Sequence, residues 1–365
     1  MKIIHTADLH LDAECSANYS VEQAKIRRNE LLKTFLRIVQ YAEENAVSAV
    51  LISGDLFDRK TVSKTAANAV YQAVIRHPDI TFFYLRGNHD AKGFLELFTD
   101  LPENLKLFTD SWTTYPIGDT GLVRVTGREL GGSKADLYDT LSLAPEAINI
   151  VMLHAEVSES VKPGPESVNL RGFRNRFIDY LALGHYHSFR KEELDNRGVY
   201  VYPGCPEGRG FDESGEKGFV LIEVDEEEKT LDSYFVPFAL HTLHKIRVRT
   251  DGLANTMDVL DAVREAVGGL KFREGDSAEV VLEGSLDAED ELNTSLIEEA
   301  LKDRFTVFRV KNETRFTVDY SRYAMDVSLK GEFIRLVQGS GLPEEEKAKI
   351  IRAGIAALRG EVEAE

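Results

Sequence analysis

The strongest constraint on the fold of this chain is a pattern met five times: a short apolar run that stops at a polar motif. The runs are Ile3-Ile4, Ala49-Val50-Leu51-Ile52, Phe82-Phe83-Tyr84-Leu85, Ile150-Val151-Met152-Leu153 and Leu181-Ala182-Leu183. The motifs after them are Asp8-Leu9-His10, Gly54-Asp55-Leu56-Phe57-Asp58, Gly87-Asn88-His89-Asp90, His154 and Gly184-His185-Tyr186-His187. Short apolar runs bounded by turn residues read as buried strands. Helical stretches separate the first three. Leu32, Phe35, Leu36, Val39 and Ala42 recur at the spacing of one buried helix face, and a second, Ala-rich helix is expected over 62–76. Strand, helix, strand, helix, strand in that order predicts a parallel sheet at the core.

Side chains just past the carboxyl ends of several strands of one sheet converge in space, where open α/β sheets place their sites. In an extended chain residues i and i+2 point to the same side. Asp8 and His10 can therefore serve one metal ion together, and so can His185 and His187. Glycines at 54, 87 and 184 let the backbone turn sharply where the strands end. Taken singly, an Asp-x-His or His-x-His is more often a surface pair or a cap, and Gly-Asn-His-Asp is usually a turn. All five in this order gather carboxylate, amide-oxygen and imidazole donors in the number that two metal ions need.

With this motif set, carried by residues 1–235, the chain resembles the calcineurin-like metallophosphoesterases. The resemblance implies an α/β fold: a two-sheet β-sandwich flanked by helices. It implies one metal held by Asp8, His10, Asp55 and His187, and a second held by Asp55, Asn88, His154 and His185, with Asp55 bridging. The division between the metals comes from the family alone. The ions implied are Mn²⁺, while mixed oxygen and nitrogen donors also admit Fe and Zn. Two such ions clamp the attacking and leaving oxygens of an in-line displacement at phosphorus. The leaving oxygen still needs a proton. His89, directly after Asn88, is the candidate general acid, and Asp58 is the anion placed to orient its ring. Asp90 is expected to support the turn.

Within this superfamily the chain is most similar to the nuclease subunit of DNA double-strand-break repair complexes of the SbcCD type. The carriers are Thr6-Ala7-Asp8-Leu9-His10-Leu11-Asp12, Gly54-Asp55-Leu56-Phe57-Asp58, and Tyr202-Pro203-Gly204 followed by Lys217-Gly218-Phe219. The resemblance implies a metal-dependent DNA exonuclease or endonuclease acting with an SMC-like coiled-coil ATPase. A homodimer through the helix over 23–44 also fits that group. One departure matters: nucleases of the eukaryotic and archaeal branch often carry His where Asp58 stands. Asp there resembles bacterial members and protein phosphatases, and the pair Asp58-Arg59 resembles the protein phosphatases. The alternative is a small-molecule phosphodiesterase or phosphatase of the same superfamily.

The chain has 365 residues, 43% hydrophobic, enough for one large domain and smaller ones. No apolar run approaches the ~18 residues of a membrane span. The first strand begins at the N-terminus, which argues against a cleaved signal peptide. Cys15 and Cys205 form no disulfide framework, so a cytoplasmic location is the expectation. Both cysteines read as ordinary small residues rather than metal ligands. A net charge of −18 argues against a general nucleic-acid coat protein and predicts weak DNA binding by this chain alone.

Three segments are expected: 1–240 for the dinuclear site, 241–325 as a small α+β capping domain, and 326–365 as paired helices docking a partner. Residues 157–177 read as a long polar loop with Lys162-Pro163-Gly164-Pro165 and then Arg171, Arg174 and Arg176, which are candidate phosphate or DNA contacts. Lys245-Ile246-Arg247-Val248-Arg249 reads as a strand with a basic outer face. Leu260, Val263 and Val267 align on a helix, and a strand over 278–283 follows. At the C-terminal end, Leu329, Phe333, Leu336 and Val337 mark one amphipathic helix, and Ile351, Ile355 and Leu358 mark another. His241 and His244 read as structural.

Overall fold

The computed structural model describes residues 1–15, 19–58, 62–90, 100–130, 136–160, 164, 166–287 and 292–359. Arg59, Lys162, Pro163 and Pro165 lie outside the described residues. The chain divides into two compact units, Met1–Thr242 and Leu243–Glu365.

In the first unit the order is β1 (Lys2–Thr6), α1 (Val21–Glu44), β2 (Ala49–Ser53), α2 (Lys64–Arg76), β3 (Thr81–Leu85), β4 (Leu105–Leu107), β5 (Thr113–Ile117) and β6 (Val123–Gly127). There follow β7 (Ile148–His154), β8 (Glu156–Ser158), β9 (Ser167–Asn169), β10 (Tyr180–Gly184), β11 (Arg190–Glu193), β12 (Val199–Tyr202), β13 (Gly218–Asp225) and β14 (Thr230–Pro237). They build two six-stranded sheets, ordered β14-β13-β1-β2-β3-β4 and β11-β12-β10-β7-β6-β5. β1 to β4 run parallel, as the strand–helix alternation predicts, and β13 joins β1 antiparallel. In the second sheet β6, β7, β10 and β12 run parallel between antiparallel edges. The fold class is thus α/β with two sheets and flanking helices.

Each central strand is apolar on both faces because each face meets a different layer. Ala49 and Leu51 of β2, and Phe83 and Leu85 of β3, pack with Ile150, Met152, Tyr180 and Ala182 in one core that joins the sheets. Val50, Ile52, Phe82 and Tyr84 turn the other way and pack on α1 and α2. Val151, Leu153, Leu181 and Leu183 fill a third core beyond the second sheet. Alternation with a period of two sends successive side chains to opposite layers.

Helix α1 starts at a capping box, with Ser20 Oγ accepting from the Gln23 N–H while Gln23 Oε1 accepts from the Ser20 N–H. Its buried face runs through Ala24, Arg27, Leu31, Thr34, Phe35, Ile38, Val39 and Ala42. The expected face is therefore rotated: Leu36 lies exposed and Leu32 only partly covered. Two polar residues, Arg27 and Thr34, occupy core positions because a buried carboxylate, Glu207, receives their hydrogen bonds. The segment 157–177 is likewise more built than a plain loop. β8 and β9 pair in parallel, and a 3-10 turn at Leu170–Phe173 buries Leu170 and Phe173.

The second unit runs β15 (Leu243–Arg249), α3 (Thr256–Gly268), β16 (Ser277–Glu283), β17 (Ser285–Asp287), α4 (Thr294–Leu301), β18 (Phe308–Asn312), β19 (Arg315–Thr317), α5 (Leu329–Gln338) and α6 (Glu344–Arg359). β15, β16 and β18 form a parallel sheet whose residues Ile246, Val248 and Val280 pack with Val259, Val263 and Ile297 of the helices. The cations on the other side of β15 are paired: Lys245 with Glu279 (3.4 Å) and Arg247 with Glu283 (2.9 Å). Ile334, Val337, Ile351 and Ile355 form the core of α5 and α6. Here Leu329 and Leu336, expected inside, are 69% and 75% exposed. Gly331, Ile334 and Val337 take the buried face instead. No helix among the described residues is long and apolar enough to cross a membrane.

Candidate metal centre

The first two motifs are held side by side because the parallel pairing of β1 and β2 continues past the strand ends. Asp8 N–H donates to Gly54 O (3.1 Å), His10 N–H to Asp55 O (2.9 Å) and Leu11 N–H to Leu56 O (2.9 Å). The two loops stay in register only by adopting unusual backbone. Asp8, His10 and Asp55 have φ of +53°, +46° and +52°, and His185 on the loop after β10 has +104°. Such left-handed geometry costs a non-glycine residue about 1–3 kcal/mol and concentrates at functional sites.

The three motif glycines have different reasons. Gly54 turns with φ +90°. Gly87 and Gly184 make no left-handed turn; they are small because the loops press together. A Cβ at Gly87 would lie 2.1 Å from Asp55 Oδ1, and one at Gly184 would lie 2.0 Å from Ser53 O.

Asp8, His10, Asp55 and His154 are buried, whereas Asn88 and His89 sit on an exposed rim. His10 Nε2 faces His187 Nε2 at 3.2 Å and Asp55 Oδ2 at 3.7 Å. His154 Nε2 faces Asn88 Oδ1 at 3.1 Å and Asp55 Oδ2 at 3.3 Å. The other nitrogen of each ring is committed outward. His10 Nδ1 donates to Asp58 Oδ1 (2.8 Å), His187 Nδ1 to Glu213 Oε1 (2.6 Å) and His154 Nδ1 to Ser53 O (2.9 Å). That outward bond leaves Nε2 as the ring's free lone pair, the way metal-binding histidines are held. Lone pairs then face lone pairs, and a cation or a proton must lie between them. The donor set fits divalent ions on this ground.

Titration follows the same geometry. Burial opposes charge on His154, but the Asp55 carboxylate outweighs it and lifts the ring to about 9. Burial would raise Asp55, yet the hydrogen bond and charge of His154 bring it down to about 2. Burial keeps His10 below the usual imidazole range, hence neutral. His89 is raised, chiefly by its hydrogen bond to Asp58, whose Oδ1 lies 3.0 Å from His89 Nδ1.

Among the described residues, three sets of donor atoms lie within 4.8 Å of one another: Asp8, His10 and His187; Asp8, Asp55 and His154; and His10, Asp58 and His89. The third is a hydrogen-bond chain rather than a cation site, because Asp58 Oδ1 already accepts from His10, His89 and Arg209. His185 joins differently. Its backbone N–H donates to Asp8 (3.0 Å), and its ring packs edge-on to His154 at 5.5 Å between centroids.

Other expected residues separate from the cluster. Arg171 reaches Glu159 (3.2 Å), Arg174 pairs with Glu159 and Leu194 O, and Arg176 donates to Tyr138 O (2.5 Å). Among the described residues no hydrogen bond or ion pair links these arginines to the centre. Asp90 braces the turn, accepting from the Phe57 and Gly87 N–H groups at 2.8 and 2.9 Å. Cys205 is buried, which pushes its thiol up, and its Sγ lies 3.5 Å from His187 O. Cys15 is raised by burial to about 11. His241 approaches Glu30 and His244 pairs with Asp276.

Glu207, Arg209 and Glu213 are absent from the sequence expectations. Arg27 and Thr34 bond Glu207 and Gly208 O, which anchors the turn 203–213 to α1. The available signal was four charged residues, Glu207, Arg209, Asp212 and Glu213, inside a Gly- and Pro-rich stretch.

Residues 1–189 match the family model of the calcineurin-like phosphoesterases. The chain is similar to the DNA double-strand break repair protein Mre11 of Methanosarcina acetivorans. That match is 25% identical over 256 residues and covers 65% of this chain and 39% of that protein. It is 24% identical over 352 residues to Mre11 of Saccharolobus solfataricus, covering 89% of this chain and 86% of that one. It is 25% identical over 273 residues to a component of the nuclease SbcCD of Staphylococcus epidermidis, covering 65% and 69%. The chain thus spans less than two thirds of the methanosarcinal relative.

Proposed function

Because the chain belongs to the calcineurin-like phosphoesterase family, we propose that it is a metal-dependent DNA nuclease working with an SMC-like coiled-coil ATPase. The observation that carries the chemistry is the approach of His10 and His154 Nε2 to Asp55, with His187 Nε2 facing that of His10 and each ring fixed by an outward bond. Relatives named for DNA double-strand break repair and for a nuclease support DNA as substrate. A small-molecule phosphodiesterase has less use for Leu243–Glu365, which among its described residues brings no further set of metal donors.

Asp8, His10, Asp55 and His187 would hold one ion, and Asp55, Asn88, His154 and His185 the other, with Mn²⁺ as the proposed metal. Bound there, the ions offset phosphate charge and supply a nucleophile from water near neutral pH. His89 stands at the open rim with a side chain 47% exposed, and its Nδ1 is tied to Asp58. Its Nε2 is thus left to deliver a proton to the leaving oxygen. The exposed apolar side chains Met325, Val327, Leu329 and Leu336 support docking of the ATPase on the C-terminal helices.

The test is Mn²⁺-dependent hydrolysis of a labelled linear duplex beside bis-p-nitrophenyl phosphate, with His89→Ala as control. The chain is expected to cleave both. The variant should lose about 10²–10⁴-fold on DNA and less on the nitrophenyl ester, whose leaving group needs no proton. Hydrolysis of the small diester with no DNA cleavage, even beside an ATPase partner, would transfer the reading to a small-molecule phosphodiesterase.

A further inference from the structure

Behind His10 and His187 the structure closes a ring of charges that none of the five motifs announces. His10 Nδ1 donates to Asp58 Oδ1 (2.8 Å) and His187 Nδ1 to Glu213 Oε1 (2.6 Å). Arg209 spans the two carboxylates. Its Nη1 donates to Asp58 Oδ1 at 3.2 Å, and its Nε and Nη2 donate to Glu213 Oε1 at 2.9 and 2.6 Å. Its backbone N–H donates to Glu213 Oε2 at 2.7 Å. The 3.2 Å approach of Arg209 Nη2 to His187 Nδ1 is no bond, since both are donors aimed at one oxygen.

We propose that Arg209 is the positioning residue of one half of the centre: it locks Asp58 and Glu213 in place, and through them it fixes His10 and His187 as Nδ1–H tautomers facing one cation. The proposal rests on the reading of Asp8, His10, Asp55 and His187 as the ligands of one ion. Glu213 is 4% exposed, so its charge needs a partner. A guanidinium presents a planar fork that can reach two carboxylates, where an ammonium is a point charge. Arg209 is itself held, because the preceding residues are anchored by Arg27 Nε on Gly208 O (2.7 Å) and Arg27 Nη2 on Glu207 (2.9 Å).

The other half is built differently. His154 Nδ1 bonds the backbone carbonyl of Ser53, which belongs to a fully buried strand. That partner is fixed by the sheet and needs no further support. The effect of Arg209 is therefore confined to one of two ions, which separates positioning from a general structural role.

The experiment uses the full chain. Calorimetric Mn²⁺ titration compares wild type, Arg209→Met and Arg209→Lys. Wild type should take up two ions. Both variants should keep one at wild-type affinity and hold the other about 10–100-fold more weakly. In parallel, nitrogen-15 spectra of the metal-free wild type should show His10 and His187 both protonated at Nδ1. Equal weakening of both ions, or two ions at full affinity in Arg209→Met, overturns the proposal. So does a bare Nδ1 on either ring in wild type, a result that requires no variant to fold. Failure of wild type to bind Mn²⁺ would instead sink the metal reading, and the ring tautomers would still decide the role of Arg209.

Discussion

The two ends of β7 are equally buried and treat polar atoms in opposite ways. At the amino end, Asn149 donates its side-chain amide to the carbonyls of Ala144, Ala147 and Phe177 at 2.8, 3.2 and 2.9 Å. Its backbone N–H goes to Asp179 at 2.7 Å. There, donors meet acceptors, as in most buried structure, with Asn149 Oδ1 the one atom of that side chain left over. At the carboxyl end, His154 Nε2 faces the oxygens of Asn88 and Asp55. Acceptors confront acceptors, and a proton on His154 relieves them in the metal-free chain. One end of the strand is arranged for stability. The other holds backbone strain and unmatched lone pairs that a ligand must satisfy.

Asp55→Asn breaks this contrast most severely. The amide keeps an oxygen for the His89 N–H, which now donates to Asp55 Oδ1 at 2.9 Å. It also brings an N–H₂ group that can donate to His154 or His10. The carboxyl end would then be self-satisfied like the amino end. Phosphodiester hydrolysis should fall to background, while the melting temperature in chelator stays near wild type. Added Mn²⁺ at a hundred times its dissociation constant should stabilise wild type by about 2.7 kcal/mol per site and the variant hardly at all. Thermal melts with and without Mn²⁺ read both effects.

The carboxyl end was legible because its chemistry is local. Each motif directly follows its strand, so run and motif together mark where Asp8, Asp55, Asn88, His154 and His185 converge. What stands behind them was not legible. Glu213 lies far along the chain from His10, and the ring through Arg209 depends on how the turn 203–213 docks on α1. No periodicity encodes that docking. The amphipathic faces failed for a related reason. Leu36, Leu329 and Leu336 satisfy a helical spacing, but which stripe is buried depends on the neighbour. In α5 the neighbour is α6, where Gly354 lets the Phe333 ring approach so closely that a Cβ there would sit 2.3 Å from it. The segment 157–177 hid β8 and β9 because strands of three residues leave too little pattern to see.

A gentler perturbation is pH. With His154 raised to about 9, the ring is charged near pH 7. An ion entering beside it must displace that proton. Affinity for this ion should therefore fall about tenfold for each pH unit below 9. Calorimetry in buffers of different ionisation heat should find about one proton released per ion near neutral pH. His10, kept neutral by burial, adds no release from its own ring. No proton release at all would mean that His154 is neutral and that the lone pairs are reconciled in some other way.

Asn149→Ala tests the opposite end and should have the smallest effect on chemistry. Ala147 O keeps Arg197 Nη2 and Ala144 O keeps the Ala147 N–H, so the alanine takes from Phe177 O the donor it relies on. An unsatisfied buried group costs about 1–3 kcal/mol, and part of this is recovered if water enters the gap. The loss should appear as a lower denaturant midpoint with an unchanged slope. Metal affinity and turnover per folded molecule should stay at wild type, because β7 still reaches His154 through five parallel pairings with β10. If turnover fell along with stability, the two ends of the strand would be mechanically coupled, and the division between a stabilising end and a reactive end would be wrong.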